Sequence, residues 1–230
     1  MANLMAAALA FLFLHRAISG SKLRDLAARH FGETLYLRLF AVASLAVLLW
    51  LGFAFAGARN RPGNIDLWTV PPFASWLQPG IQLVAFLFIV SGLATPNPGT
   101  VGQQGAVNRL DIVQGMLRIT RHPFLWGVAI FAAGHLSVRS DVASWTLFGT
   151  MLIVAVSGTA SIDAKRRRLL GEQWLGFAKQ TSNIPFAAIL EGRQRLSLEE
   201  VGWRPVLAAA VAWAASLFAH PYLFGGSAFP

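Results

Sequence analysis

Cysteine is absent from this 230-residue chain, which excludes disulfides, thiolate metal sites, iron–sulfur clusters and cysteine nucleophiles. Charge is scarce too. Only 13% of residues are charged, against roughly 25% in a soluble domain. Carboxylates are the scarcest, with 10 Asp and Glu facing 19 Lys and Arg. Apolar residues fill the chain instead: 55% are hydrophobic, 17 are Phe and 8 are Trp, and the mean hydropathy is +0.54. This composition argues against a disordered, fibrous or secreted chain and for a polytopic membrane protein. The net charge of +9 would suit a nucleic-acid binder in a soluble chain. In one this apolar, the basic residues mark loops that meet anionic lipid headgroups, and no nucleic-acid partner is expected.

A helix crosses the hydrocarbon core with about 20 apolar residues. Six stretches approach that length: Ala2–Ile18, Leu39–Ala58, Leu77–Leu93, Pro123–Val138, Trp145–Ile162 and Pro205–Phe224. The first and fourth are short enough to tilt or to cross incompletely. The first lacks the basic start of a signal peptide, since Arg16 is its first basic residue, so it reads as a retained helix. The Pro79-Gly80 pair places the start of the third helix at Ile81 as an alternative. Residues 1–230 thus form one all-α domain, a bundle of about six transmembrane helices.

Basic residues set the orientation. The second and fourth loops hold only Arg59, Arg61 and Arg139, and every other Lys and Arg lies in or beside the first, third and fifth. Positive loops stay inside, so the first, third and fifth loops are expected in the cytoplasm and both termini on the outer side. Trp68, Trp76, Trp145 and Tyr222 then fall at the outer headgroup level. The Lys165–Arg168 run is expected at the cytoplasmic lipid surface, where a phosphate grip is the sharper alternative.

With cysteine gone, histidine is the candidate for chemistry. His30 lies in a charged loop and reads as solvated, whereas His15, His122, His135 and His220 lie in or beside helices. An ionisable group at membrane depth is costly and marks a functional site; the plainer role is a hydrogen bond between helices. His122 and His135 are 13 positions apart on one span, about 20 Å along the axis and roughly 140° apart around it, so they cannot share a metal. Zinc needs three or four N or O ligands at one depth, and the spans lack carboxylates. Heme needs one or two imidazoles in an apolar slot, which suits this set better. By depth, His135 matches His220, while His15 lies toward the cytoplasmic end of its helix. Pro123 fits a first helical turn and presents Arg121 and His122 at a helix N-terminus. Arg121 is expected there to meet an anion, a heme propionate or a lipid phosphate, with simple membrane anchoring as the alternative.

The chain resembles the NnrU family of bacterial inner-membrane proteins over nearly its whole length. The likeness runs through His15, Phe31-Gly32-Glu33, Tyr36, Pro96-Asn97-Pro98, Ile119-Thr120-Arg121-His122-Pro123 and Gly134-His135-Leu136. It continues through Thr181-Ser182-Asn183-Ile184-Pro185-Phe186, Gly192-Arg193 and His220 before Leu223-Phe224-Gly225. That family is similar to the plant 15-cis-zeta-carotene isomerase, a membrane enzyme that uses heme b to isomerise a cis double bond. The resemblance implies heme b as cofactor, with His15 and His135 as its ligands; depth offers His220 as the substitute, and the helix N-terminus offers Arg121 and His122 to a cofactor's anionic group. The resemblance also implies a hydrophobic substrate or nitric oxide as partner, since bacterial members are linked to denitrification. Without cysteine, a thiolate ligand is impossible here.

A second resemblance runs to membrane isoprenylcysteine methyltransferases, through Arg121-His122-Pro123, Asp163, Leu170-Gly171, Trp174, Phe177 and Pro185. It implies S-adenosylmethionine bound on the cytoplasmic side. The acidic residues are thinned here to Asp163 and Glu172, and Trp174 and Phe177 stand where tyrosines are expected. A non-catalytic assembly or sensing protein is the third reading.

Overall fold

The computed structural model describes residues 1–18, 22–109 and 111–226. Among these residues the α-helices are, in order, α1 (Ala2–Phe13), which runs into a π-helical turn (Leu14–Ile18), α2 (Lys22–Phe31), α3 (Glu33–Ala58), α4 (Pro72–Ala94), α5 (Met116–Ile119), α6 (Pro123–Val138), α7 (Val142–Leu170), α8 (Glu172–Gln180), α9 (Ala187–Leu190), α10 (Leu198–Val201) and α11 (Trp203–Phe224). A 3-10 turn (Gln104–Asn108) interrupts the loop after α4. Among the described residues the extended backbone pairs only at one bridge, Asp66 with Asp141. The protein is an all-α membrane protein.

Four helices, α3, α4, α7 and α11, are long and apolar enough to span a bilayer, and Ala2–Ile18 and Pro123–Val138 are shorter apolar helices. The distribution of side-chain size supports a lipid-facing surface. The largest core cluster consists mainly of small residues, with Ala7, Ala8, Ala54, Ala58 and Ala143 packed around Leu4 and Leu51. Large apolar residues face outward instead, Phe53 and Phe218 at 76% exposure each. Helices in lipid associate through close packing of small residues, since burying apolar surface gains little there.

Local chemistry sets the helix ends. Pro123 opens α6 and Pro72 opens α4, each where its missing N–H has no intrahelical partner. Asp141 caps α7 by accepting from Ser144 N at 2.9 Å. Asn64 donates to the same carboxylate at 2.9 Å. Burial alone would raise the Asp141 pKa, but the hydrogen bonds from Ser144 and Asn64 outweigh it and hold the carboxyl below its ordinary value. Several helices run past the boundaries expected from sequence, α3 from Glu33 rather than Leu39 among them. α4 begins at Pro72 and passes through Pro79, whose carbonyl accepts the indole N–H of Trp213 on α11 at 2.9 Å. α7 extends beyond Ile162 to Leu170, so the Lys165–Arg168 run is helical, with Arg166 buried.

α4 lies between α6 and α11. Its contact with α6 is the tightest: a Cβ on Gly127 would sit 2.7 Å from the main-chain N of Ile89, and one on Gly134 would sit 2.6 Å from Gln82 Nε2. At one end of the bundle the start of α1, the end of α3 and the end of α11 converge, with Arg59 donating to the Phe224 carbonyl at 2.6 Å. This is called the terminal face. The opposite end carries the Arg-rich connections and is called the basic face.

Candidate functional site

Near the terminal face, His135 sits one turn from the end of α6. Its ring stacks on Phe148 of α7, with centroids 4.3 Å apart and planes 15° apart, and it also meets Phe131 at 4.4 Å. Gln82 of α4 closes another side, its Nε2 donating to the Phe131 carbonyl at 3.2 Å. The close approach at Gly134 permits this, because a side chain there would push Gln82 away. The amide oxygens of Gln78 and Gln82 are buried beside this site and find no donor among the described residues.

His220 lies toward the end of α11, its ring 5.0 Å from that of Phe224. It is within electrostatic reach of His135. His15 is elsewhere. It occupies the π-helical turn, with its ring 4.2 Å from Phe11 and 5.7 Å from Phe40. His135 instead leads through Phe148 to Phe55, which lies 6.3 Å from Phe148. Phe40 and Phe55 are separated by about 22 Å of α3 at ~1.5 Å per residue. His15 and His135 therefore stand at different depths and do not converge, whereas His135 and His220 share the terminal half.

The three bundle histidines have one feature in common. Each Nδ1 lies against a main-chain carbonyl: His15 on Phe11 at 3.0 Å, His135 on Phe131 at 2.9 Å, and His220 on Gly226 at 2.7 Å. A carbonyl can only accept, so in this contact the neutral ring donates from Nδ1 and keeps its lone pair on Nε2; at His135 the amide Nε2 of Gln82 also lies 3.3 Å from Nδ1, longer than the 2.9 Å carbonyl contact. Among the described residues no three His, Asp or Glu side chains gather as a metal site.

His122 is used differently. It caps α6 at the basic face, is 4% exposed, and places Nε2 2.7 Å from Oδ1 of Asp163. Arg121 grips the same carboxylate, NH2 to Oδ2 at 2.7 Å and Nε to both oxygens at 3.0 Å. Asn183 donates to Oδ2 at 3.2 Å. The main chain of Asn183 is itself held, accepting from Thr120 Oγ1 at 2.5 Å and from the Trp126 indole at 2.8 Å. Asn97 donates to the Arg121 carbonyl at 2.9 Å. The anion that Arg121 meets in the structure is thus Asp163 of this chain. Residue types gave no sign that Asp163, Asn183 and Asn97 share one node. The only signal was their presence in motifs quoted for the two resemblances.

A second lock lies nearby. Arg118 donates from Nε and NH2 to the two oxygens of Glu200 at 2.6 and 2.8 Å, and from NH1 to Gln194 at 2.6 Å. These hydrogen bonds hold the Glu200 carboxyl at about 2, well below its ordinary value. Trp174 and Phe177, which stand at the tyrosine positions of the methyltransferase resemblance, are buried at 2% and 3% against Leu117. They form core. His30 is exposed.

Compared with known proteins, the chain matches the family described as NnrU protein over residues 3–228. It is similar to the chloroplastic 15-cis-zeta-carotene isomerase of Arabidopsis thaliana, 29% identical over 231 residues that cover 95% of this chain and 59% of that protein. It is also similar to the Zea mays protein of the same name, 27% identical over 229 residues, covering 94% of this chain and 59% of the relative. The chain thus spans about 59% of the length of these relatives. No solved structure matches it.

Proposed function

The chain belongs to the NnrU protein family, and from that premise we propose that it is a membrane b-heme protein with isomerase-like chemistry on an apolar substrate drawn from the lipid. In this reading it lies in a bacterial inner membrane, with the terminal face periplasmic and the basic face cytoplasmic. The similarity to two proteins named as 15-cis-zeta-carotene isomerases favours an isomerase over other heme chemistry.

The observation that carries the reading is the shared Nδ1–carbonyl contact of the bundle histidines. Metal-ligating histidines are commonly held this way, because donating the second N–H fixes the ring and raises the basicity of the other nitrogen. His135 and His220 suit one heme, since they share a depth, each ring packs on phenylalanine, and neither has a carboxylate contact among the described residues. His15 is the ligand that the family resemblance names, at the other depth. When bound, the heme iron would supply a Lewis-acidic, redox-active centre for a double bond or for a small ligand such as nitric oxide. The chain's residues hold the imidazoles: Phe131 and Gln82 fix His135 from one side, Phe148 covers its ring, and Gly226 orients His220.

The basic-face node favours this reading over S-adenosylmethionine chemistry. Arg121 and His122 are directed onto Asp163, and they serve as a structural lock. The test is a visible absorption spectrum of the protein purified in detergent after heme-sufficient expression. A Soret band with low-spin ferric features is expected. Folded protein with no such band overturns the heme reading.

A further inference from the structure

Arg121 is engaged by Asp163 at the basic face, so an anionic group on a ligand held by His135 and His220 is left to other cations. The terminal face offers few. The loops on that side hold only Arg59, Arg61 and Arg139, and two of the three stand beside the histidines. Arg139 caps the end of α6, four positions after His135, and is within electrostatic reach of it. Phe224 ends α11 four positions after His220, and its carbonyl accepts from Arg59 NH1 at 2.6 Å. Four positions are one helical turn, about 6 Å along the axis. Each of the two helices therefore carries a guanidinium one turn nearer the terminal face than its histidine, Arg139 directly and Arg59 through Phe224.

The carboxylates of this face are committed elsewhere. Asp66 accepts from Ser140 Oγ at 2.7 Å, and Asp141 accepts from Asn64 and from Ser144 N, each at 2.9 Å. Among the described residues, neither Arg59 nor Arg139 forms an ion pair. Arg59 is anchored by NH1, and its Nε is buried with no hydrogen-bond partner among those residues. The main chain of Arg139 is fixed too, its carbonyl accepting from the Trp145 indole at 3.0 Å. Arginines on the outer side also run against the charge bias of the chain. Two guanidiniums set one turn beyond two imidazoles suit a ligand with an apolar body and carboxylates at one edge, since the fork matches a carboxylate in geometry as well as charge.

We propose that Arg59 and Arg139 bind the propionate carboxylates of the heme at the terminal face, the role that the sequence alone offers to Arg121. The inference rests on the heme reading, with His135 and His220 as the ligands.

The experiment titrates the full chain, expressed under heme limitation and held in neutral detergent, with hemin and separately with hemin dimethyl ester. The ester keeps the porphyrin and iron and removes the propionate charges. The Soret band reports binding, and the ratio of the two affinities is the measured quantity. The wild type should prefer hemin. Arg59→Gln should cut that preference about tenfold, as a partly buried charged hydrogen bond is lost, and Arg139→Gln, at an exposed position, about two- to fivefold. Ester binding should stay at the wild-type level in both, which separates loss of a carboxylate partner from loss of the fold. Arg168→Gln, on the basic face, should leave the ratio unchanged. Arg59→Lys, which keeps the charge and loses the fork, should fall between wild type and Arg59→Gln and serves if the latter does not fold. A preference for hemin that survives in the double variant overturns this inference and leaves the heme reading standing. Equal loss of hemin and ester in Arg59→Gln reduces Arg59 to a clamp on the end of α11 and overturns its part. Binding of neither porphyrin by the folded wild type overturns both readings together.

Discussion

His122 and Asp163 meet at 2.7 Å, imidazole Nε2 to carboxylate Oδ1, and this contact joins the start of α6 to the last turns of α7. Arg121 and Asn183 share the carboxylate, so one side chain pins α6 and the segment after α8 to α7. Asp163→Asn keeps the shape and removes the charge, leaving Arg121 without its partner. The expected loss is on the order of 3 kcal/mol, read as a lower melting temperature in detergent. Asp163→Asn and His122→Ala should be non-additive in a double-mutant cycle. Additive losses would mean that the two residues do not act through this contact.

The Arg118–Glu200 pair gives an acid-side test. The Glu200 carboxyl is held at about 2, while an unfolded glutamate titrates near ~4.3. A lowered folded value means that the stabilisation is full above the unfolded value and is lost as pH falls from there toward the folded one. Proteolysis of the α9–α11 connection should speed up across that window. Glu200→Gln should cleave faster at neutral pH and lose the acid dependence. If the variant keeps the acid dependence of the wild type, another carboxylate is responsible.

Packing between α4 and α6 predicts a different pattern. At Gly127 a Cβ meets main chain, Ile89 N at 2.7 Å and Ala85 O at 3.0 Å, which cannot step aside. At Gly134 the obstacles are side chains, Gln82 Nε2 at 2.6 Å and Ile81 Cγ2 at 2.8 Å. Gly127→Ala should therefore cost more, about 1–3 kcal/mol, than Gly134→Ala. Thermal unfolding of the two variants in one detergent compares them directly. The reverse order would place the rigid contact at Gln82.

Local chemistry explains what the sequence makes legible. Pro123 starts α6 where a proline fits a first turn, and the apolar runs mark the helices in the right order. The depth difference between His15 and His135 also follows from antiparallel alternation of spans. Contacts between distant segments are not legible in this way. Asp163 and its partners are more than 20 positions away from Arg121 and His122, and no periodicity links them. Pro79-Gly80 reads as a helix start because proline punctuates locally, yet packing against Trp213 overrides it. Arg166 reads as one surface charge in a run, because burial of a single face of a helix end depends on what packs there.

Orientation is tested without reference to chemistry. The Lys and Arg imbalance predicts a cytoplasmic basic face and a C-terminus on the opposite side; Pro230 itself lies outside the described residues. Alkaline phosphatase fused to the C-terminus should be active, and green fluorescent protein fused there should stay dark. A fluorescent fusion with silent phosphatase would invert the topology or remove one span.

The histidines give the last and most decisive prediction. Both ligand sets contain His135, the resemblance pairing it with His15 and the geometry with His220. His135→Ala should therefore abolish the low-spin spectrum or the bound heme in either case. The second ligand separates them. If His220 is the partner, His220→Ala converts the iron to high spin and His15→Ala leaves it low spin; if His15 is the partner, the result reverses and the bundle must rearrange to close about 22 Å of depth along α3. His122→Ala should lower the melting temperature through loss of the Asp163 contact and leave the spectrum unchanged, because its Nε2 faces that carboxylate. Full heme occupancy with an unaltered spectrum in His135→Ala would remove His135 as a ligand and leave its ring as packing between α6, α4 and α7.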